Sequence, residues 1–248
     1  PKADPVLGQW GVFPSISGSW NIKGEDFMDD IEELNELKLR LGYGVTGNMP
    51  GDHYLYLMRV SPGGDYLWSN GAFIQPWGPS SNVNEELRWE EKHEFNLGFD
   101  FAAYNHRFSG SLDAYFRNTT DLLWEYDVPM PPYPFGKMWD NYGQIHNYGI
   151  ELLLNGVLME TKNFKWDLGF NASWNRNMVV RITGEKYGQT DDEGNYIETY
   201  MNVGGIGGDG LTGVNAMRLQ EGQPIGNFYG FRAAGLDEKG TLWYYKKD

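Results

Sequence analysis

KHEFNLGFDFAAYNHRFSGSLDAYFR, residues 92–117, alternates with a period of two. Phe95, Leu97, Phe99, Phe101 and Ala103 fall on one parity, with Glu94, Asn96, Gly98, Asp100 and Ala102 between them. After Asn105 and His106 the parity flips. Phe108, Gly110, Leu112, Ala114 and Phe116 then alternate with Arg107, Ser109, Ser111, Asp113, Tyr115 and Arg117. Successive side chains on a strand point to opposite faces. A two-residue turn at Asn105 and His106 that pairs Tyr104 with Arg107 therefore sets Ala103 opposite Phe108 and brings both apolar rows to one face. The limbs run from Arg88 to Tyr104 and from Arg107 to Tyr126, each longer than the roughly 9–11 residues a tilted strand needs to cross a bilayer. The opposite row carries charges of both signs, glycine and serine, so one face suits lipid and the other water.

Composition narrows the class. The 248 residues are 40% hydrophobic and 16% aromatic, which supports an ordered core. Thirty-three glycines, sixteen tyrosines and ten tryptophans with few long aliphatic runs indicate an all-β chain with many turns. The formal charge is −14 and the twenty Lys and Arg are scattered, so no nucleic-acid partner is expected. With no cysteine there is no disulfide, thiolate nucleophile or Cys-type zinc site. No run of 18 apolar residues marks a membrane helix, and a barrel needs none. There is no signal peptide, and Pro1 opens the sequence with no initiator methionine, so residues 1–248 read as an interior piece of a longer protein.

The same alternation recurs along the chain. Residues 9–22 place Trp10, Val12, Ile16 and Trp20 on one parity, with a bulge or a gap in the ladder expected at Pro14. Lys23 to Leu34 is acidic and reads equally as a connector of one to two helical turns or as a solvated turn. Leu37, Leu39, Leu41, Tyr43 and Val45 then mark a second spanning strand. Tyr148, Ile150, Leu152, Leu154 and Leu158 are answered by Phe164, Trp166, Leu168, Phe170 and Trp174, with a five-residue turn predicted over Met159 to Asn163. Leu122, Trp124 and Tyr126 extend the outward row of the long hairpin, and Gly226 to Ala234 reads as a shorter strand. Short connections near 23–35, 105–106 and 159–163 thus alternate with long ones at 48–86, 127–145 and 184–215. Transmembrane β-barrels have this asymmetry, with short periplasmic turns and long extracellular loops.

No catalytic residue, metal ligand or cofactor emerges. Gly205 to Gly210 matches G-x-G-x-x-G, but no strand leads into it and no helix follows, so it reads as a loop. Asp191, Asp192, Glu193 and Asn195 are oxygen ligands that could hold calcium or simply solvate a loop tip. The four histidines have no metal-like spacing, there is no nucleophile motif, and nothing singles out a glycosidase pair among the carboxylates. The loop aromatics Tyr66, Trp68, Trp77 and Trp139 are the candidate ligand-binding residues, offering rings for sugars or apolar area for packing. Trp10, Trp89, Trp124, Trp174 and Tyr148 fall near the long-loop ends and Trp20 and Trp166 nearer the short turns, as two interfacial girdles would.

Seven blocks carry a family likeness: FPSISGSW (13–20), LKLRLGYGVTGN (37–48), NEELRWEEKHEFNLGFDF (84–101), SLDAYFRNTTDLL (111–123), NYGQIHNYGIELLLN (141–155), NFKWDLGFNASWNRN (163–177) and EGQPIGNFYGF (221–231). In order and spacing they resemble the barrel of SusC/RagA-type TonB-dependent transporters of Bacteroidetes. The resemblance implies a non-enzymatic importer of oligosaccharides or peptides in the cell outer membrane, embedded in lipid, capped by a SusD-like lipoprotein and energised through TonB. It also implies that residues 1–248 are part of the barrel domain, without plug, TonB box or terminal strands. The reading from another class is a secreted β-sandwich that binds or hydrolyses carbohydrate.

Overall fold

The computed structural model describes residues 10–49, 55–182, 189–190, 193–194, 196–197, 200–205, 215–230, 232–236, 238–240 and 242–244. The chain divides into two compact units, residues 1–177 and 178–248. It opens with β1 (Ser15–Asn21), two single turns of 3₁₀ helix (Ile22–Gly24 and Asp26–Met28) and β2 (Leu34–Asn48). Four short strands follow: β3 (Val60–Pro62), β4 (Tyr66–Leu67), β5 (Phe73–Ile74) and β6 (Trp77–Pro79). Then come the long strands β7 (Glu90–Ala103), β8 (Phe108–Asp127), β9 (Lys137–Thr161) and β10 (Phe164–Arg181). The remainder is β11 (Gln189–Thr190), β12 (Tyr196–Ile197), β13 (Tyr200–Gly205), β14 (Asn215–Gln220), β15 (Asn227–Phe228), β16 (Ala233–Leu236) and β17 (Leu242–Tyr244).

One sheet dominates, in the order β1-β2-β7-β8-β9-β10. The order is linear, so β1 and β10 are its edges. At the tip of the β7–β8 hairpin Asn105 and His106 have φ of 56° and 61°, the positive values a type I′ turn requires, and Arg107 N donates to Tyr104 O at 3.2 Å. Ala103 faces Phe108, as the parity required. The register then carries the apolar parity across the sheet. Leu39 faces Phe99, Phe99 faces Leu112 and Leu112 faces Leu152. Farther along, Ile16, Tyr43, Phe95, Phe116 and Tyr148 are linked partner to partner, and the Tyr148 and Trp174 rings meet edge-on at 6.0 Å. These rows are open to their surroundings: Phe95, Leu112, Ile150 and Trp166 are all exposed. Among the described residues no second sheet covers them, so the sandwich reading finds no support here.

The other face is polar and self-paired. Arg40 reaches Asp100 through Nε (2.7 Å) and Nη2 (2.8 Å), and Nη2 also meets Asp113 at 2.9 Å. Arg117 pairs with Glu94 at 2.9 Å and lies 4.3 Å over the Tyr115 ring. Tyr115 in turn folds over Gly149, where a Cβ would come within 2.7 Å of its hydroxyl. Charged pairs across neighbouring strands each add a fraction of a kcal/mol and fix the register from the side opposite the apolar rows.

Several expectations are corrected. The turn between β9 and β10 is Lys162 and Asn163 rather than five residues, because both strands run on and Thr161 Oγ1 accepts from Phe164 N at 3.1 Å. Pro14 lies outside β1, where its carbonyl accepts from Val45 N at 2.9 Å. Of the two readings of the acidic connector, the helical one holds: it forms helical turns, burying Met28 while Phe27 stays exposed. The loop placed at 127–145 shrinks to Val128–Gly136, since β9 begins at Lys137. Tyr126 does not continue the outward row: it is 1% exposed, with its ring edge-on to Tyr142. Two register shifts between Thr119 and Leu123, with Asp121 at φ 56°, interrupt the pleat below it. The strand expected over 226–234 is two short pieces, β15 and β16. Asp191, Asp192, Asn195 and most of the glycine motif at 205–210 lie outside the described residues.

Candidate functional site

Residues 59–80, between β2 and β7, form an arm of four short paired strands. Ser80 N donates to Arg59 O at 2.8 Å, β3 pairs with β6, Gly63 N donates to Pro76 O at 2.7 Å, and β4 pairs with β5. The arm closes at Trp68, whose N–H and carbonyl bond Ala72 and Gly71 at 2.8 and 2.9 Å. Gly71 has φ 82°, a conformation other residues adopt at a cost. Asn70 Oδ1 accepts from Ala72 N at 3.0 Å and completes the turn.

This arm gathers three of the four aromatic residues singled out in the sequence. Tyr66 and Trp68 meet edge-on, ring centres 6.3 Å apart, and Trp77 stands on the return limb opposite Pro62. Leu67, Phe73 and Ile74, which the sequence reading left unremarked, join them. Trp68 is 52%, Trp77 67% and Phe73 73% exposed. A two-stranded hairpin is marginal by itself, and these exposed aromatic and aliphatic side chains make the arm the candidate recognition element.

Trp139 is placed differently, on β9 at the base of the arm. It lines a cavity of about 440 Å³ with Arg59, Ser80, Glu125 and Lys137, the last two joined at 3.3 Å. A seam of asparagines holds this base. Asn82 Nδ2 donates to Phe135 O (2.6 Å) and Lys137 O (2.7 Å), while its Oδ1 accepts from Phe135 N (3.2 Å). Asn84 Nδ2 donates to Trp139 O at 2.9 Å and to Asp140 Oδ1 at 3.1 Å. Asn141 closes the seam by accepting from Arg88 N and donating to Arg88 O, both at 2.8 Å. Side chains at every second residue thus stand in for a backbone ladder, and the buried amides and carbonyls are satisfied. The signal in the sequence is the alternation Asn82-Val83-Asn84. Arg88 donates to Asp121, and this hydrogen bond raises the guanidinium above its ordinary pKa.

No cluster of His, Asp and Glu among the described residues is arranged to hold a metal ion. The geometry offers ring faces, a polar recess and a rigid base.

A family model described as TonB dependent receptor-like, beta-barrel matches residues 2–241. TonB-dependent receptor SusC of Bacteroides thetaiotaomicron is 33% identical over 249 residues, covering 96% of this chain and 25% of that protein. TonB-dependent receptor P39 of Formosa agariphila is 31% identical over 228 residues, covering 92% of this chain and 19% of that protein. The chain therefore spans about a quarter or less of the curated relatives it matches. Among solved structures, the RagAB peptide importer in its open-open state superposes with a TM-score of 0.73 at 24% identity, over 95% of this chain and 23% of that one. The family model over nearly the whole chain and the match to SusC show that the chain belongs to the TonB-dependent receptor-like β-barrel family, of the SusC/RagA type.

Proposed function

We propose that residues 1–248 are a stretch of barrel wall from a transporter in the outer membrane, one that imports oligosaccharides or peptides with a SusD-like lipoprotein and draws energy through TonB. The observation that carries this reading is the continuous apolar parity from β2 to β9, exposed on one face and opposed by a charged face. Lipid is the surrounding that such a face fits. Spanning sheets leave no open edges in a bilayer, because unpaired backbone groups there cost several kcal/mol each, so β1 and β10 call for further strands. A longer protein of the same family, with plug and TonB-contacting segment, supplies them.

In this proposal the arm from Arg59 to Ser80 lies at the extracellular mouth. Tyr66, Trp68 and Trp77 contact the nutrient or the lipoprotein, and Trp139 faces the recess at the base. The choice of oligosaccharide follows the family resemblance of the sequence, and the likeness in fold to the RagAB peptide importer supports the choice of peptide. The test is the double substitution Trp68→Ala and Trp77→Ala in the full-length protein, with surface expression verified. Slower growth on the cognate nutrient, or loss of the lipoprotein during purification, is expected. Growth and co-purification both unchanged would remove the arm from the binding machinery.

A further inference from the structure

The three-stranded sheet β13-β14-β15 has two unlike faces. Met201 faces Leu219 across the ladder, Val203 faces Met217, and Met217 faces Phe228, so apolar side chains share one side. On the other side Arg218 lies between Asn202 and Asn227, with Tyr200 opposite Gln220. Arg218 is clamped: its guanidinium carbon lies 3.4 Å from the centre of the Tyr200 ring and 3.2 Å from that of Tyr229. Its Nε donates to Asn202 Oδ1 at 3.1 Å, and among the described residues no carboxylate pairs with it. Gln220, Gln223 and Asn227 line a cavity of about 290 Å³ beside it. Val179 near the end of β10 anchors the rim, donating to Gln223 O at 2.9 Å and accepting from Gly222 N at 2.8 Å.

We propose that this cavity is a subsite for a carboxylate group on the transported ligand. Two rings fix the plane of the guanidinium and strip water from its faces. Only the donor edge is then left to interact, and a planar fork of this kind matches a carboxylate. A charge-assisted, two-pronged hydrogen bond is the strongest polar contact open to it, and the three amides beside it match hydroxyls or peptide groups. The volume admits about one sugar or amino-acid residue. Carboxylates of that size come from an acidic sugar or from the end of a peptide. The proposal rests on the transport function proposed above but uses none of the arm's residues, so it is tested independently of them.

The test is calorimetric titration of the full-length protein in detergent with four probes: trigalacturonate, maltotriose, and one tripeptide with its C terminus free or amidated. A carboxylate-bearing probe is expected to bind at least about tenfold more tightly than its uncharged counterpart, and the pair that shows the difference names the source. Arg218→Gln is expected to abolish the difference and Arg218→Lys to restore only part of it. Asn227→Leu, which fills the cavity and leaves the cation in place, is expected to do the same as Arg218→Gln and serves if that variant fails to assemble. Equal binding of charged and uncharged probes, no binding of any probe, or discrimination unchanged in Asn227→Leu would overturn the proposal and leave Arg218 as a pin between strands.

Discussion

Gly98 stands directly across the ladder from Asp113, and a Cβ at position 98 would lie 2.5 Å from the Asp113 carboxylate. It would also lie 2.7 Å from the Arg40 guanidinium. Glycine makes the recess in which Arg40 bridges Asp100 and Asp113. Gly98→Val is therefore expected to displace Arg40 and destabilise the assembled barrel by about 1–3 kcal/mol, the usual cost of overpacking. Gly42→Ala is the control, since a Cβ there meets only Asn96 Cβ at 4.0 Å, and it is expected to stay within about 0.5 kcal/mol. Urea titration of the full-length barrel, read by its mobility on unheated gels, checks both. Equal losses would contradict the recess.

The two faces differ in what a new charge costs. Leu112→Arg is expected to destabilise the full-length barrel by about 2–4 kcal/mol, the range for a basic residue on a lipid face near the midplane, and Ser111→Arg by much less. The two positions are adjacent in β8, with partners Leu152 and Leu153. Only the face distinguishes them. The same urea titration decides, and similar losses at the two sites would argue against lipid on the Leu112 side.

The asparagine seam has its own signature. Asn82→Ala leaves Phe135 N and the carbonyls of Phe135 and Lys137 without their partner. Unsatisfied buried groups cost about 1–3 kcal/mol, so loss of the seam should open Val128–Gly136 locally rather than unfold the barrel. Hydrogen exchange is expected to speed up at Phe135 by at least about tenfold, with amides of β7 unaffected. Faster exchange throughout β7 and β8 would show that the seam supports the wall itself.

Legibility in the sequence followed the solvent. Between Phe95 and Phe116 a single apolar environment imposes strict parity, and the turn at Asn105 and His106 converts parity into register, so both could be read directly. Beyond the bulge at Asp121 that environment ends. Tyr126 is buried there by local packing, and Lys137–Gly143 is strand although its sequence has no alternation, because Asn82 and Asn84 cover it with side-chain bonds. The strands of the arm are two or three residues long, too short for periodicity to register, though its aromatic residues were visible as candidates. Arg218 went unnoticed because Tyr200 and Tyr229 approach it only through strand pairing.

Leu152, Leu153 and Leu154 allow the central claim to be tested without any change in hydrophobicity along the sequence. Leu152 faces Leu112 and Leu154 faces Gly110 on the apolar side, whereas Leu153 faces Ser111 on the charged side. Nitroxide labels placed singly at the three positions in the full-length protein, reconstituted in lipid vesicles, report contact with lipid-dissolved oxygen and with a water-soluble nickel chelate. The expected result is high oxygen contact at 152 and 154, low oxygen contact at 153, and no chelate contact at 152 or 154. Equal oxygen contact at all three, or chelate reaching 152 and 154, would contradict the barrel wall described here.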